Sequence, residues 1–211
     1  IRILKDQLVS VVPLNTIIDN IKIESILGEG GMGVVYKGTQ LSVGNRPVAV
    51  KFLKPEGFAD PTQLEQAAKR LQDEAIAASS VKCRHLVDVY QAGHSEQYGF
   101  YIVFEYLEGM TLYDRIQKNG PLKPATMIKE VAVPLLTALS TLHSKGIMHR
   151  DVKPANMQAD SAGKYRLSDL GLAHFHDRNA KTATGTFIGT PGYLAPERLG
   201  GTEAETSDVY S

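Results

Sequence analysis

Disulfides, zinc ligands and an excess of either charge are all missing from this chain of 211 residues. Its single cysteine, Cys83, excludes an internal disulfide, and no Cys or His spacing suits a structural zinc,. That usage points to a reducing compartment. The sequence offers no apolar run approaching the ~18 residues that cross a bilayer, and charges break up the first residues where a secretory leader would be continuous. Lys plus Arg and Asp plus Glu stand at 23 each, so nothing marks a surface for nucleic acid or anionic lipid. Neither an internal repeat nor a low-complexity tract is present. These absences predict a soluble domain, cytoplasmic or the cytoplasmic part of a larger protein, with neither nucleic acid nor membrane as partner. A hydrophobic content of 43% is ample for the core of one or two domains.

The most chemically loaded stretch is His-Arg-Asp-Val-Lys-Pro-Ala-Asn, residues 149–156. Pro154 has no N–H and disfavours the helical region at Lys153, so Asp151, Lys153 and Asn156 fall on a loop. A hairpin turn is predicted at 159–163, and alternation at Tyr165 and Leu167 carries the return strand to Asp169, beside Asn156. Such a loop suits phosphoryl transfer from a metal-bound nucleotide, which needs positioning and charge neutralisation more than covalent chemistry. Asp151 would orient a hydroxyl, Lys153 would stabilise charge, and Asn156 and Asp169 would offer oxygens to Mg²⁺. One such residue alone would be an ordinary solvated turn.

Other motifs follow in fixed order: Gly28-x-Gly30-x-x-Gly33-x-Val35, Val48-Ala49-Val50-Lys51, Asp169-Leu170-Gly171, Gly189-Thr190-Pro191 and Ala195-Pro196-Glu197. Together they resemble the protein-kinase superfamily from about residue 21 onward. Lys153 and the Gly-Thr-Pro run look like its Ser/Thr branch, and the glycine loop looks like the bacterial, eukaryotic-like subgroup. The resemblance implies an α+β, bilobal fold: a small antiparallel-sheet lobe with one helix over 21–104, and a mainly helical lobe over 105–211. Residues 1–20 would be an extension or linker. The final residues resemble the opening of a long central helix whose continuation is absent, so the second lobe reads as incomplete.

The resemblance also implies ATP with Mg²⁺ (Mn²⁺ as an alternative), a protein substrate, and self-association for autophosphorylation. Nucleotide-contacting positions would be Leu27, Gly28, Gly30, Gly33, Val35, Ala49, Lys51, Phe104, Glu105, Leu107 and Gln158. Phe104 would be the gatekeeper, and main-chain groups of the 105–109 hinge would bind adenine. The 173–189 segment looks like an activation loop, with Thr182, Thr184 and Thr186 as phosphorylation candidates. The rival reading is a nucleotide-binding pseudokinase or scaffold, against which every position the chemistry needs holds a competent residue. A small-molecule phosphotransferase is disfavoured by the run at 189–197.

Periodicity places a helix over 61–79, capped by Asp60 with Pro61 at its first position. Leu64, Ala67, Leu71 and Ala78 make its apolar stripe, and Glu74 falls on it. A buried carboxylate demands a cation, and Lys51, ending an apolar strand, is the predicted partner. Strands are predicted at 86–90 and 100–106. Thr111 and Asp114 predict a capping-box start for a short helix ending near Gly120. A longer helix over 125–144 should turn Met127, Ile128, Val131, Leu135, Ala138, Leu139 and Leu142 inward, with a kink at Pro134. At Gln158 related sequences generally carry an apolar residue. If its amide is buried without a partner, ATP binds more weakly and Gln158→Leu gains affinity; if the amide reaches outward, the change is neutral.

Overall fold

The computed structural model describes residues 11–30, 33–54, 69, 72–73, 75–169, 191–199 and 204–211. They form two compact units, one from 1–80 with 88–106, the other from 81–87 with 107–211.

The first unit is a six-stranded antiparallel sheet in the order β1-β2-β3-β4-β6-β5. Its strands are β1 (Ile17–Ile18), β2 (Ile21–Gly30), β3 (Gly33–Gln40), β4 (Arg46–Leu53), β5 (Val89–Ser95) and β6 (Gly99–Glu105). Two-residue periodicity sends Ile21 and Ile23, Val34 and Tyr36, Val48, Val50 and Phe52, Tyr101 and Val103 into one core,. Residues 11–20 join this core through Val12 and Ile18, and β1 pairs with β2 as a short edge strand. The Val12 N–H donates to Tyr36 Oη at 2.9 Å, and Tyr101 Oη donates to Asp19. Burial, and then that bond, push the Tyr101 phenol well above its ordinary range. Of the helix predicted over 61–79, the described residues 69, 72–73 and 75–79 are helical, with Ala75 and Ala78 buried. Leu64, Ala67, Leu71 and Glu74 lie outside the described residues.

The strand expected at 86–90 begins only at Val89 and runs on to Ser95. Leu86 and Val87 belong instead to the second unit: Val87 N–H donates to the Leu167 carbonyl at 2.9 Å and Leu167 N–H to the His85 carbonyl at 2.8 Å. Their apolar side chains fit either sheet, so periodicity alone could not assign the partner.

The second unit contains α1 (Leu112–Asn119), α2 (Pro124–Met127), a π-helical turn (Ile128–Ala132), α3 (Val133–His143), a 3₁₀ turn (Pro154–Asn156), the hairpin β7 (Met157–Ala159) and β8 (Tyr165–Leu167), a second 3₁₀ turn (Pro191–Tyr193), α4 (Pro196–Leu199) and α5 (Glu205–Tyr210). The predicted cap on α1 is present: Thr111 Oγ1 accepts the Asp114 N–H at 3.1 Å, and Gly120 closes the helix at φ 75°. Just before Pro134 the chain makes a wider turn, and Val133 N–H donates five residues back to Ile128. Pro134 cannot supply the regular bond, and a π turn absorbs the misfit. The wider turn also changes the phase of the residues ahead of it. Met127 and Ile128, expected inward, are 40% and 61% exposed, while Val131, Ala138, Leu139 and Leu142 stay buried. The continuous helical stretch Pro124–His143 is 20 residues long and holds an 18-residue window of mean hydropathy 1.3, the length and apolarity of a span, contrary to expectation. Its buried stripe is the second unit's core, shared with Leu112, Met157 and Leu167.

Candidate active site

In the first unit, directly opposed residues of antiparallel strands share a face. Gly28 opposes Val35, Val35 opposes Lys51, Lys51 opposes Ile102, and Ala49 opposes Phe104. The sheet therefore gathers Gly28, Val35, Ala49, Lys51 and Phe104 on the face away from the Tyr36–Phe52 core. Leu27 is the extra residue of a bulge between Ile26 and Gly28 and is 46% exposed. Gly30 opposes Gly33 at the end of the hairpin. A Cβ on Gly28 or Gly30 would meet nothing, so both present open backbone; one on Gly33 would fall 2.1 Å from the Phe52 carbonyl oxygen. Lys54 pairs with Glu29 on this hairpin. Lys51 is buried at 9% exposure, and its predicted partner Glu74 is outside the described residues. Glu105 ends β6 with its N–H donating to the Asp88 carbonyl at 2.9 Å.

In the second unit the loop from His149 to Asn156 is cross-braced. Asn156 Nδ2 donates to the Asp151 main-chain oxygen at 2.7 Å and to its carboxylate Oδ2 at 2.9 Å. Lys153 Nζ lies 2.8 Å from that same Oδ2. Both amide hydrogens of Asn156 are thus spent on Asp151, and what Asn156 has left to offer is its amide oxygen. The Asp151 carboxylate keeps about a quarter of its surface exposed. The acid, cation and amide expected from sequence are together.

His149 is fully buried. Its Nε2 faces the Ser168 carbonyl at 2.9 Å and its Nδ1 accepts the Asp151 N–H at 3.3 Å. A carbonyl only accepts, so the proton sits on Nε2 and the ring is neutral. Burial pushes its pKa down accordingly.

The β7–β8 hairpin returns the chain to the loop: Ser168 N–H donates to the Asn156 carbonyl at 2.8 Å, and Asp169 follows at φ 63°. Arg150 is also left-handed, at φ 65°. Conformations of this kind cost about 1–3 kcal/mol in non-glycine residues and persist where neighbours over-determine them. Asn156 and Asp169 carry oxygen donors of the type a hard cation takes, with water completing its shell. Their donor set fits Mg²⁺.

Asp208, on α5, was not singled out by the sequence. At 4% exposure it accepts the His149 N–H at 2.7 Å, the Arg150 N–H at 2.6 Å and faces His143 Nε2 at 2.9 Å. Glu197 accepts the Ser207 hydroxyl at 2.7 Å, which lowers its pKa. Gln158, expected to be either unpaired or turned to water, is neither: its Nε2 donates to the carbonyls of Leu107 at 2.9 Å and Gly109 at 3.0 Å. Leu170, Gly171, Thr182, Thr184, Thr186, Gly189 and Thr190 lie outside the described residues.

Residues 21–211 match the family described as protein kinase domain. The chain is 36% identical over 194 residues to the probable serine/threonine-protein kinase PknB of Lactococcus lactis, covering 92% of this chain and 30% of that protein. It is 34% identical over 187 residues to the serine/threonine-protein kinase PrkC of Bacillus subtilis, covering 88% and 28%. It is 35% identical over 190 residues to the serine/threonine-protein kinase PknL of Mycobacterium tuberculosis, covering 90% and 46%. The chain spans less than half the length of these relatives. Among solved structures, the PknI kinase domain of M. tuberculosis shares the fold at a TM-score of 0.71 and 22% identity, over 94% of this chain and 72% of that one. The apo form of PpkA-294 does so at 0.77 and 21%, over 96% and 75%. With the match reaching from the first strand after residue 20 to the last residue, this chain belongs to the protein kinase domain family.

Proposed function

We propose that this chain is the catalytic part of a protein serine/threonine kinase that moves the γ-phosphoryl of Mg-ATP to a Ser or Thr hydroxyl. The observation that carries the reading is the Asp151 carboxylate, about a quarter exposed to solvent yet fixed by Asn156 at 2.9 Å and Lys153 at 2.8 Å. Asp151 accepts and orients the substrate hydroxyl, and Lys153 neutralises charge on the transferring group. Asn156 and Asp169 hold Mg²⁺, which when bound neutralises the phosphate oxygens. On the sheet, Lys51 anchors phosphate with Glu74 as its ion-pair partner, and the open backbone of Gly28, Gly30 and Gly33 approaches it. Leu27, Val35, Ala49 and Phe104 contact the base, and the main chain of Glu105 and Leu107 hydrogen-bonds it.

Activation follows phosphorylation of Thr182, Thr184 or Thr186, by a second copy of the same protein, in a cytoplasmic setting where ATP is supplied. The serine/threonine-kinase names of the bacterial relatives support the choice of Ser or Thr as acceptor. Incubating the full-length protein with labelled Mg-ATP and a generic acceptor protein, beside its Asp151→Asn variant, tests it. Label on Ser or Thr from the first and not the second is expected. Equal labelling by both would remove Asp151 from the chemistry.

A further inference from the structure

Gln158 is the central residue of β7, between Met157 and Ala159, both in the second unit's core. Strand alternation puts its side chain on the opposite face, where it is half-buried,. The backbone beside it is already zipped to the segment that follows β6. Gly109 N–H donates to the Ala159 carbonyl at 3.1 Å, and Ala159 N–H to the Met110 carbonyl at 3.1 Å. The approach is close enough that a Cβ on Gly109 would sit 2.4 Å from the Ala159 oxygen. Onto this ladder Gln158 adds both hydrogens of one planar amide, one to Leu107 O and one to Gly109 O.

Water can satisfy either carbonyl, but separate waters do not fix the two peptide planes relative to each other. A single rigid amide does, because its two N–H vectors are set by the plane of the group. Leu or Met at this position would fill similar space and offer no donor. We infer that Gln158 is a positioning residue for nucleotide recognition, acting through the main chain of Leu107–Gly109 and not by chemistry of its own. The inference rests on the kinase reading, in which Leu107 main chain binds the base. The direction of the expected mutational effect is the reverse of what an unpaired amide would give: an apolar replacement loses affinity for ATP.

The test compares full-length wild type, Gln158→Met and Gln158→Glu. Loss of the paired donors should raise the KM for ATP roughly three- to tenfold in the Met variant, as expected for one or two net hydrogen bonds. At saturating acceptor, kcat should stay within about twofold, the pattern of lost binding without lost transition-state stabilisation. Gln158→Glu should be worse than Met, since its carboxylate faces two carbonyl oxygens, and should recover part of the loss as pH falls and the carboxyl gains a proton to donate. Hydrogen exchange without nucleotide should quicken across 107–111 in both variants. An unchanged KM in Gln158→Met, with or without faster exchange, overturns the role. A fall in kcat at constant KM overturns it as well. Wild type that binds no Mg-ATP would instead sink the kinase reading itself, and this role with it.

Discussion

The Asp208 carboxylate accepts the main-chain N–H of His149 at 2.7 Å, and its second oxygen takes the next N–H, that of Arg150, at 2.6 Å. Two successive donors on one carboxylate fix the entry to the 149–156 loop, including the left-handed turn at Arg150. Arg198 Nη1 completes the brace on the Arg150 carbonyl at 2.6 Å. Asp208→Ala should leave buried N–H groups unpaired, each costing about 1–3 kcal/mol. Urea unfolding should register a loss of that order, and Asp208→Asn a smaller one because it retains an acceptor oxygen. A fully stable Ala variant would show that water replaces the carboxylate.

Asp151→Asn should lower phosphoryl transfer by roughly 10²–10⁴, the usual contribution of a positioned acid–base group. Stability should change little, because Asp151 is partly exposed and its main-chain oxygen still accepts from Asn156. Initial rates and a melting curve on the same preparation separate the two. A large fall in melting temperature would mean that Asp151 is structural first.

Much of the site was legible because side-chain chemistry and order in the chain define it: Asp151, Lys153 and Asn156 converge as their loop requires, and Val35, Ala49 and Lys51 share a face because strand registry demands it. What sequence could not supply was the choice among partners of similar chemistry. Leu86 and Val87 suit a strand in either unit, and hydrogen bonds to β8 decide the matter. The misfit at Pro134 was foreseeable, but its absorption by a π turn, which leaves Met127 and Ile128 exposed, depends on packing. Gln158 was recognised as unusual, yet only coordinates reveal that two carbonyls lie within its reach.

The buried neutral His149 predicts a pH dependence. Its pKa is lowered in the folded state, so below the ordinary histidine value of about 6.5 the unfolded chain binds a proton that the folded chain refuses,. Stability attributable to this residue is therefore intact above that value and falls on acidification, with a slope of up to about 1.4 kcal/mol per pH unit. Protonation would also place a second N–H on Nδ1, against the Asp151 N–H it now accepts. Measured between pH 7.5 and 5.5, His149→Gln should be less stable at neutrality but shallower in its slope than wild type. Parallel curves would assign the acid sensitivity to other groups.

Gly33 and Gly30 of the β2–β3 hairpin should not respond alike to a methyl group. At Gly33 the added Cβ would lie 2.1 Å from the Phe52 carbonyl oxygen, and the obstacle is β4 backbone in the middle of a paired sheet, not a side chain that can rotate away. Gly33→Ala must therefore push β3 off β4, and overpacking of this kind typically costs about 1–3 kcal/mol. Because Val35 and Lys51 are paired just beyond it, the shift would also move the lysine assigned to phosphate. Gly30→Ala meets no atom within 4 Å, so its melting temperature should stay near wild type. Its effect should fall instead on Mg-ATP, whose phosphates need the bare backbone, and appear as a raised KM. Thermal melts and ATP titrations of the two variants should thus separate, Gly33→Ala losing stability and affinity together and Gly30→Ala losing affinity alone. Equal melting temperatures for the two would mean that β3 accommodates the methyl by a shift the static contact does not anticipate.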